Sequence, residues 1–285
     1  MPNDADALTM GSLCSLAGKV AVLTGASGFL GRTFALALLS NGARVIALGR
    51  SERIGREARA WAARFGADRI SAHQIDMYDT ERLDALCREI AGRERSIDVL
   101  VNNAHELGAA TGFNVPEGSL ENASFDQWRR NLHSGVYWAA QTTQHLGIKM
   151  KAQRRGSIIN IATLYASVAP RPGLYAGTPS LNPPGYSAGK AALLAFTRYT
   201  ASFWGRDGVR ANCISPGPFS NTEDLEGENS VAEDSEFVRR LKDCTVLGRI
   251  GRPIELCGAL LFLASEASSY VTGQNICVDG GWTAV

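Results

Sequence analysis

Short apolar runs rich in branched side chains alternate along the chain with longer segments in which apolar residues recur every three or four positions. The runs indicate buried β-strands and the longer segments indicate helices. The predicted strands are KVAVLT, RVIAL, RISAHQI, IDVLV, GSIINIA, VRANCIS and NICVD. The predicted helices cover residues 29–40, 52–65, 79–91, 124–146, 186–204 and 253–264. This alternation predicts an α/β, doubly wound, seven-stranded parallel sheet of the Rossmann type with right-handed crossovers.

No linker, repeat or low-complexity run divides the pattern, which favours a single domain over residues 16–285. Residues 1–15 lack a basic segment followed by an apolar one, and we expect a flexible arm, neither signal peptide nor membrane span. Two long connections follow the carboxyl ends of strands, where such sheets bind ligands. The first connection, residues 164–185, contains five prolines. The second begins at residue 217 and is most polar up to residue 236. We expect substrate loops at 164–185 and 217–245.

Composition and charge narrow the classes of partner. The 285 residues include 29 basic and 28 acidic side chains, a net charge of +1, which gives no reason to expect a nucleic acid or an anionic membrane. The six cysteines are scattered without a C-x-x-C pair, and the histidines lack metal-ligand spacing. We therefore predict a cytoplasmic protein with reduced thiols, no bound metal and a small-molecule substrate.

A glycine-rich segment, TGASGFLG, joins the first predicted strand to the first predicted helix. In that context, glycines allow a tight turn and a close approach to a pyrophosphate, which the helix N-terminus attracts. The alternative is an ordinary glycine-rich turn without a ligand. The residues predicted to contact a dinucleotide here are Gly25, Ser27, Phe29, Leu30 and Gly31.

Tyr186 and Lys190 are four residues apart, which places them one turn apart on the same face of a predicted helix. A phenol ordinarily has a pKa near ~10, and a neighbouring cation can lower it. The pair is therefore a candidate proton-transfer device, unless the spacing is a coincidence.

The chain resembles the short-chain dehydrogenase/reductase family from about Leu16 to the C-terminus. The motifs that carry the resemblance are the glycine-rich segment, Asp76, Asn102-Asn103-Ala104, Asn131, Tyr186 with Lys190, Pro216-Gly217, and Val278-Asp279-Gly280-Gly281. The glycine spacing, TGxxGxxG, is more typical of the longer branch of the family that modifies sugar nucleotides. We assign the shorter, single-domain branch, because 285 residues with a VDGG ending leave no room for the larger C-terminal substrate region of the longer branch.

The resemblance implies hydride transfer between a nicotinamide cofactor and a carbinol or carbonyl carbon. Tyr186 would then act as the general acid or base, and Lys190 would lower its pKa and hold the nicotinamide ribose. Asn131 would anchor a water that leads from Lys190 to solvent. Thr163 stands where the family usually has a catalytic serine, and Ser167 is a rival for this hydroxyl, with Ser180 a weaker one.

The end of the second strand bears on the choice of cofactor. Gly49 stands where an NAD-type acid belongs, and Arg50 can pair with a 2′-phosphate, so NADP(H) is favoured over NAD(H). The alternative is that Arg50 is merely a solvated charge. The other cofactor contacts implied by the resemblance are Asp76 and Met77 at the adenine, Asn102 and Ala104 centrally, and Pro216, Gly217 and Thr222 at the nicotinamide end.

The substrate is predicted only by class. The separation of Thr163 and Tyr186 by 23 positions is longer than the family usually has, so part of 164–185 is an insertion beside the substrate. Arg171 and Tyr175 could contact a polar substrate or only stabilise the loop, and His105 could line the pocket. A polyhydroxylated substrate (a sugar, sugar acid or polyol) is preferred over a steroid, fatty acyl or aromatic ketone.

Two other functions and the assembly state complete these expectations. The variant glycine segment and Thr163 leave open a catalytically silent nucleotide-sensing or scaffold protein, and the glycine spacing leaves open a sugar-nucleotide epimerase or dehydratase. By resemblance, the predicted helices 124–146 and 186–204 pair between subunits of a homodimer or homotetramer.

Overall fold

A computed structural model of the protein describes residues 9–221 and 232–285, and it is built on a seven-stranded sheet. The strands are β1 (Val20–Thr24), β2 (Arg44–Gly49), β3 (Ile70–Gln74), β4 (Val99–Asn102), β5 (Gly156–Ile161), β6 (Val209–Pro216) and β7 (Asn275–Val278). All neighbours run parallel in the order β3-β2-β1-β4-β5-β6-β7. The predicted doubly wound α/β fold is confirmed. Its strand order reverses between β1 and β4, the place where open sheets bind ligands.

Helices cover both faces of the sheet. The α-helices of the described residues are α1 (Met10–Leu13), α2 (Phe29–Ser40), α3 (Arg53–Phe65), α4 (Thr80–Arg93), α5 (Phe125–Leu132), α6 (Trp138–Ala152), α7 (Pro172–Tyr175), α8 (Pro184–Trp204), α9 (Glu236–Asp243) and α10 (Cys257–Ala264). Helices α2, α3 and α10 pack on one face, and α4, α6 and α8 pack on the other. None of the helices in the described part of the chain is long and apolar enough to cross a membrane.

The central strands are apolar on both faces because both faces are covered. Ala21 and Leu23 of β1 pack in the cluster under α2, whereas Val22 between them packs in the cluster on the other face. The alternation follows from the two-residue period of a strand. This explains why the strands appear in the sequence as continuous apolar runs.

The helix predicted over 124–146 is interrupted and longer. Ser124 caps α5 in a capping box, and residues His133–Tyr137 then form a π-helical turn that leads into α6. Two glycines bring this region against α8. A Cβ on Gly189 would lie 2.7 Å from the carbonyl oxygen of Asn131, and one on Gly135 would lie 2.9 Å from the Cα of Gly189. The two helices therefore approach backbone to backbone, which fixes Asn131 beside α8.

The two long connections and the N-terminal segment contain helices that the sequence did not indicate. Helix α7 lies in the connection 164–185, and α9 lies in 217–245, where Thr222 belongs to the residues outside the described part of the chain. The arm predicted over 1–15 also lies partly outside it. Within the described residues, Thr9 caps the single turn of α1, and Leu16 is fully buried.

Candidate active site

The turn between β1 and α2 is shaped by glycines. Gly25 has a left-handed backbone with φ of +65°, and a Cβ there would lie 2.9 Å from the Cα of Ala104. A Cβ on Gly31 would lie 2.0 Å from the carbonyl oxygen of Gly25. Helix α2 begins at Phe29 with no side-chain cap and no acid in its first turn, while Leu30 packs partly buried on the core. The bare amides of this helix N-terminus fit the pyrophosphate of a dinucleotide.

The segment after β4 is tied to this turn by hydrogen bonds. The Thr24 hydroxyl accepts from the backbone N–H groups of Asn103 and Ala104, each at 3.0 Å, and the Asn103 side chain donates to the Thr24 carbonyl oxygen at 3.0 Å. The Asn102 side chain lies elsewhere. It is buried and donates to a second buried asparagine, on β5, at 2.8 Å. Asn103 and Ala104 therefore border the turn, whereas the predicted contact Asn102 has its amide engaged between the strands.

The end of β2 carries a cation beside the glycine turn. Gly49 is packed so closely that a Cβ there would lie 2.9 Å from Oγ of Ser27. The Arg50 side chain is 56% exposed, and its Nη1 lies 3.4 Å from Oε1 of Glu106. The residue type at 49 leaves no acid at the strand end, so the arrangement fits a 2′-phosphate better than a free ribose hydroxyl.

Asp76 and Met77 follow β3 on the same side of the sheet. Asp76 is exposed, and its Oδ1 accepts from the backbone N–H of Tyr78 at 3.0 Å. Met77 is 6% exposed and packs in the core cluster. The exposed Asp76 carboxylate thus stabilises the turn after β3 through this hydrogen bond. The Met77 side chain anchors the same turn in the core.

Tyr186 lies in the first turn of α8, where the proline at 184 suits a helix start. Its ring contacts the rings of His105 and Phe113, each with a centroid separation of 5.0 Å. Burial raises the pKa of the Tyr186 phenol to about 12, and an interaction with the Thr163 side chain opposes this rise. The phenol therefore holds its proton at neutral pH and is poised to donate it to a substrate oxygen.

Lys190 is 3% exposed and lies one turn further along α8. Its Nζ donates to the carbonyl oxygen of Ile161 at 2.7 Å, and burial lowers its pKa to about 8. Lys190 is not among the groups that shift the pKa of Tyr186 here, and the lowering of that pKa by Lys190 stays a prediction. The ammonium group is bound to the end of β5, and burial dominates both pKa values.

Asn131 occupies the last turn of α5, against Gly185 and Gly189 of α8, and is 1% exposed. Its Nδ2 donates to the carbonyl oxygens of Thr111 at 2.7 Å and Gln127 at 2.8 Å. Its Oδ1 is buried and accepts no hydrogen bond from the described residues. The amide is therefore fixed through its nitrogen and keeps an acceptor for another group.

The two candidate hydroxyls lie in different environments. Thr163 is 6% exposed at the carboxyl end of β5, and its side chain acts on Tyr186 to lower the pKa of that phenol. Ser167 is exposed, beyond a short 3₁₀ turn at Leu164–Ala166. The geometry therefore favours Thr163 as the polarising hydroxyl.

The insertion brings two more phenols and an amide to the site. The hydroxyls of Tyr165 and Tyr175 lie 3.1 Å apart, and the Asn182 side chain acts on the pKa of Tyr175. Burial raises the pKa of Tyr175, and its interactions with Tyr165 and Tyr186 raise it further. Burial also raises the pKa of Tyr165, so both phenols of the insertion remain neutral donors. The Tyr175 ring also packs against Phe237 of α9, with centroids 5.6 Å apart. Tyr165 and Asn182 were not identified from the sequence.

Arg171 does not join this group. Its guanidinium carbon lies 5.8 Å from the ring centroid of Trp282, and Nη1 lies 3.9 Å from Sγ of Cys244. The side chain packs against the C-terminal segment, which is the loop-stabilising alternative of its two predicted roles.

His105 takes a pocket-lining position. Neither ring nitrogen is exposed or makes a well-formed hydrogen bond within the described residues. Burial, followed by the charge of Lys190, holds the imidazole pKa well below its usual value, although the nearby backbone of Ser134 opposes this. The ring is therefore neutral beside Tyr186.

Pro216 and Gly217 close the site at the end of β6. The Gly217 N–H donates to the Val278 carbonyl oxygen at 2.9 Å, and a Cβ on Gly217 would lie 2.5 Å from the Cα of Asp279. Glycine is needed here because the chain after β7 crosses it at van der Waals distance.

Comparison with known proteins identifies the family. A family model described as enoyl-(acyl carrier protein) reductase matches residues 25–283. Gluconate 5-dehydrogenase of Gluconobacter oxydans is 34% identical over 95% of this chain and 97% of its own, and sorbose reductase of Candida albicans is 33% identical over 95% and 89%. A structure of gluconate 5-dehydrogenase from Burkholderia cenocepacia, in complex with NADP and tartrate, has a TM-score of 0.83 at 28% identity, with coverage of 97% and 100%. The chain belongs to the short-chain dehydrogenase/reductase family.

Membership of the short-chain dehydrogenase/reductase family confirms the predicted oxidoreductase class. It also accounts for the placement of the Tyr186, Lys190, Thr163 and Asn131 side chains at one end of the sheet. Among the described residues, no group of three or more His, Cys, Asp or Glu side chains is arranged to hold a metal.

One cluster of this short-chain dehydrogenase/reductase was missed entirely by the sequence reasoning. Glu106 directly follows His105 and accepts from Arg130 and Tyr78. The only local signal was an acidic residue two positions after the NNA segment. Its partners lie 24 and 28 positions away, on other elements, and no spacing rule connects them.

Proposed function

We propose that this short-chain dehydrogenase/reductase uses NADP(H) to interconvert a secondary alcohol and a ketone on a sugar, sugar acid or polyol. The observation that carries the proposal is the grouping of Tyr186, the Thr163 side chain that acts on its pKa, and the buried Lys190 one helical turn away, at the carboxyl edge of the sheet. The relatives named above, a gluconate 5-dehydrogenase and a sorbose reductase, support the substrate class, and the structure with NADP and tartrate supports the cofactor.

The residues present fit the cofactor. The bare N-terminus of α2 would receive the pyrophosphate, and Arg50 would pair with the 2′-phosphate. Ala104 borders the turn, and Lys190 would exchange its backbone acceptor for the nicotinamide ribose. When bound, NADP(H) supplies or accepts the hydride.

The side chains of the protein move the proton. In reduction, Tyr186 gives its phenolic proton to the substrate oxygen, and in oxidation it takes that proton back. Thr163 donates a hydrogen bond to the same oxygen and so favours the charge that develops there. The Oδ1 atom of Asn131 is placed to accept from a water that replenishes the proton by way of Lys190.

The insertion supplies the substrate contacts. Tyr165, Tyr175 and Asn182 present two phenols and an amide beside Tyr186, and neutral donors and acceptors of this kind suit the hydroxyls of a polyhydroxylated substrate. His105 adds a neutral ring in contact with Tyr186.

The test is a panel of sugars, sugar acids, polyols and apolar ketones, followed through NADPH absorbance with the Tyr186→Phe variant as the control. We expect turnover confined to polyhydroxylated compounds and abolished by the substitution. Turnover of apolar ketones alone would contradict the substrate class. Tight NADPH binding without turnover of any compound in the panel would favour a nucleotide-sensing protein.

We also propose the organisation in which this site works. Residues 16–285 form one domain with substrate loops at 164–185 and 217–245. The protein is cytoplasmic, in agreement with the free cysteines of the described residues. Two copies, or two pairs of copies, associate through the exposed apolar side chains of α5, α6 and α8.

A further inference from the structure

A cluster of charged and polar side chains connects the segments that follow β2, β3 and β4 with α5. The carboxylate of Glu106, which is 8% exposed, accepts from Nε of Arg130 at 3.0 Å, from Nη2 of Arg130 at 2.8 Å and from the Tyr78 hydroxyl at 2.6 Å. Nη1 of Arg50 lies 3.4 Å from the same carboxylate. The Arg130 guanidinium also stacks over the Tyr78 ring at 4.4 Å. We call Arg50, Tyr78, Glu106 and Arg130 the Glu106 cluster.

The two cations of the cluster are not equivalent. Arg130 binds both carboxylate oxygens and is 25% exposed, whereas Arg50 makes one longer contact and is 56% exposed. Although burial opposes it, hydrogen bonds from Arg130 and Tyr78 hold the pKa of Glu106 below its usual value. The carboxylate is thus ionised and matched mainly by Arg130, which leaves the cluster with one uncompensated positive charge, at Arg50.

We propose that Arg130 is a positioning residue that sets the preference for NADP(H) without touching the cofactor, an inference that rests on the proposed function. Arg130 neutralises the negative charge of Glu106. The Glu106 carboxylate can then hold the Arg50 guanidinium beside the glycine turn without cancelling its positive charge, which remains available to the 2′-phosphate. Without Arg130, Glu106 is compensated only by Arg50. Its negative charge then withdraws Arg50 and repels the phosphate.

The consequence is specific to the phosphorylated cofactor. NADH carries no 2′-phosphate, so a change in the charge near Arg50 alters its binding little. A loss of folding or of loop order would weaken both cofactors alike. The ratio of the two dissociation constants therefore separates a charge effect from a merely structural one.

The experiment measures the Kd of NADPH and of NADH by fluorescence titration for the wild type, Arg130→Gln and Glu106→Gln/Arg130→Gln. Arg129→Gln is the matched control, because Arg129 neighbours Arg130, carries the same charge and pairs with the exposed Asp126 at 2.5 Å. We expect Arg130→Gln to weaken NADPH binding roughly tenfold and NADH binding less than about twofold. The double variant should recover most of the NADPH affinity.

Three results would overturn the inference: equal weakening of both cofactors in Arg130→Gln, the same change of ratio in Arg129→Gln, or no recovery in the double variant. The proposed cofactor has its own test in the same titrations. A wild type that binds NADH more tightly, with no effect of Arg50→Gln, would contradict the NADP(H) assignment. A wild type that prefers NADPH through Arg50, with an unchanged ratio in Arg130→Gln, would contradict only the role of Arg130.

Discussion

Thr163 differs by one methyl group from the serine that the family usually carries, and the structure has room for that group. Its side chain lies at the end of β5 and acts on Tyr186 to lower the pKa of that phenol. Thr163→Val keeps the shape and removes the hydroxyl, so we expect kcat to fall by roughly 10²- to 10³-fold with little change in NADPH affinity. Thr163→Ser should retain turnover. Steady-state kinetics on the substrate found in the panel measure both.

Ser167→Ala is the control for this prediction. Ser167 is exposed, so its substitution should leave kcat within about twofold. A large loss in Ser167→Ala with turnover intact in Thr163→Val would mean that the insertion folds back over the substrate, and it would assign the hydroxyl to Ser167.

Lys190 links catalysis to stability through its burial. The folded-state pKa is lowered to about 8, whereas an unfolded lysine has a pKa near ~10.4. Between these values the unfolded chain binds more protons, so the free energy of unfolding rises with pH, and below pH 8 the full penalty of the buried charge applies. Lys190→Met lacks this penalty. We expect it to be the more stable protein at neutral pH, with an advantage that shrinks by about 2 kcal/mol by pH 10.

Urea unfolding of both proteins across this pH range measures the difference. Lys149→Met provides the baseline, because Lys149 also donates to a backbone carbonyl, at 2.8 Å, but is only partly buried. A pH-independent difference between Lys190→Met and the wild type would mean that the buried amine does not titrate in this range. Lys190→Met should also lose turnover, which separates the functional need for the lysine from its effect on folding.

At the residue scale, the sequence predicted what local spacing encodes. Tyr186 and Lys190 are one helical turn apart, and the glycine segment is contiguous, so both could be found without a structure. The upward shift of the pKa of Tyr186 could not be predicted, because it depends on burial by residues that are distant in the sequence. The bond between Glu106 and Arg130 likewise joins positions 24 apart on separate elements.

Among the elements, α7 and α9 pack together over the substrate side. The Arg240 guanidinium donates through Nη1 to the carbonyl oxygens of Gly173 at 2.9 Å and Ala176 at 2.6 Å, so it satisfies the exposed end of α7. Arg240→Met keeps the stem and removes the donors. We expect amide hydrogen exchange over residues 172–182 to accelerate at least roughly tenfold and KM for the substrate to rise, with NADPH affinity unchanged.

The neighbouring arginine on the same helix is the control. Arg239 is 70% exposed and, among the described residues, pairs locally with Glu236. Arg239→Met should leave exchange and KM unchanged. If Arg240→Met behaved in the same way, the insertion would be held by its own packing, through Leu174 and the Tyr175 ring, and not by α9.

The elements that the sequence predicted least well are those whose cause is tertiary. The π-helical turn His133–Tyr137 lies where the helix passes α8 at glycine contact distance, and nothing in its own composition indicates it. Helices α7 and α9 are one and two turns long and are stabilised by each other, whereas propensity rules recognise longer segments. The strands were easier, because burial on both faces makes each one continuously apolar.

For the whole molecule, an exposed aromatic surface predicts self-association. Tyr199 and Phe203 of α8 stack at 4.2 Å and are 57% and 62% exposed, and Tyr137 and Ile148 of the neighbouring helical segment are 49% and 58% exposed. An exposed apolar patch of this kind usually faces a second copy in a symmetric dimer. We expect light scattering to give the mass of a dimer or tetramer, and Tyr199→Glu/Phe203→Glu to halve that mass.

The introduction of acidic side chains into an apolar surface needs a control in which an exposed apolar residue elsewhere is replaced by the same acid. Met10→Glu places the same acid on a 73% exposed apolar side chain of α1, away from α8, and should leave the mass unchanged. The double variant should still bind NADPH. The glycine turn and Arg50 belong to the half of the sheet that contains β1 and β2, whereas α8 belongs to the half beyond β4. A monomeric wild type would contradict the assembly, and an unchanged mass in the double variant would place the contact between copies on another surface. Loss of NADPH binding together with loss of assembly would mean that α8 is held in position by the partner copy.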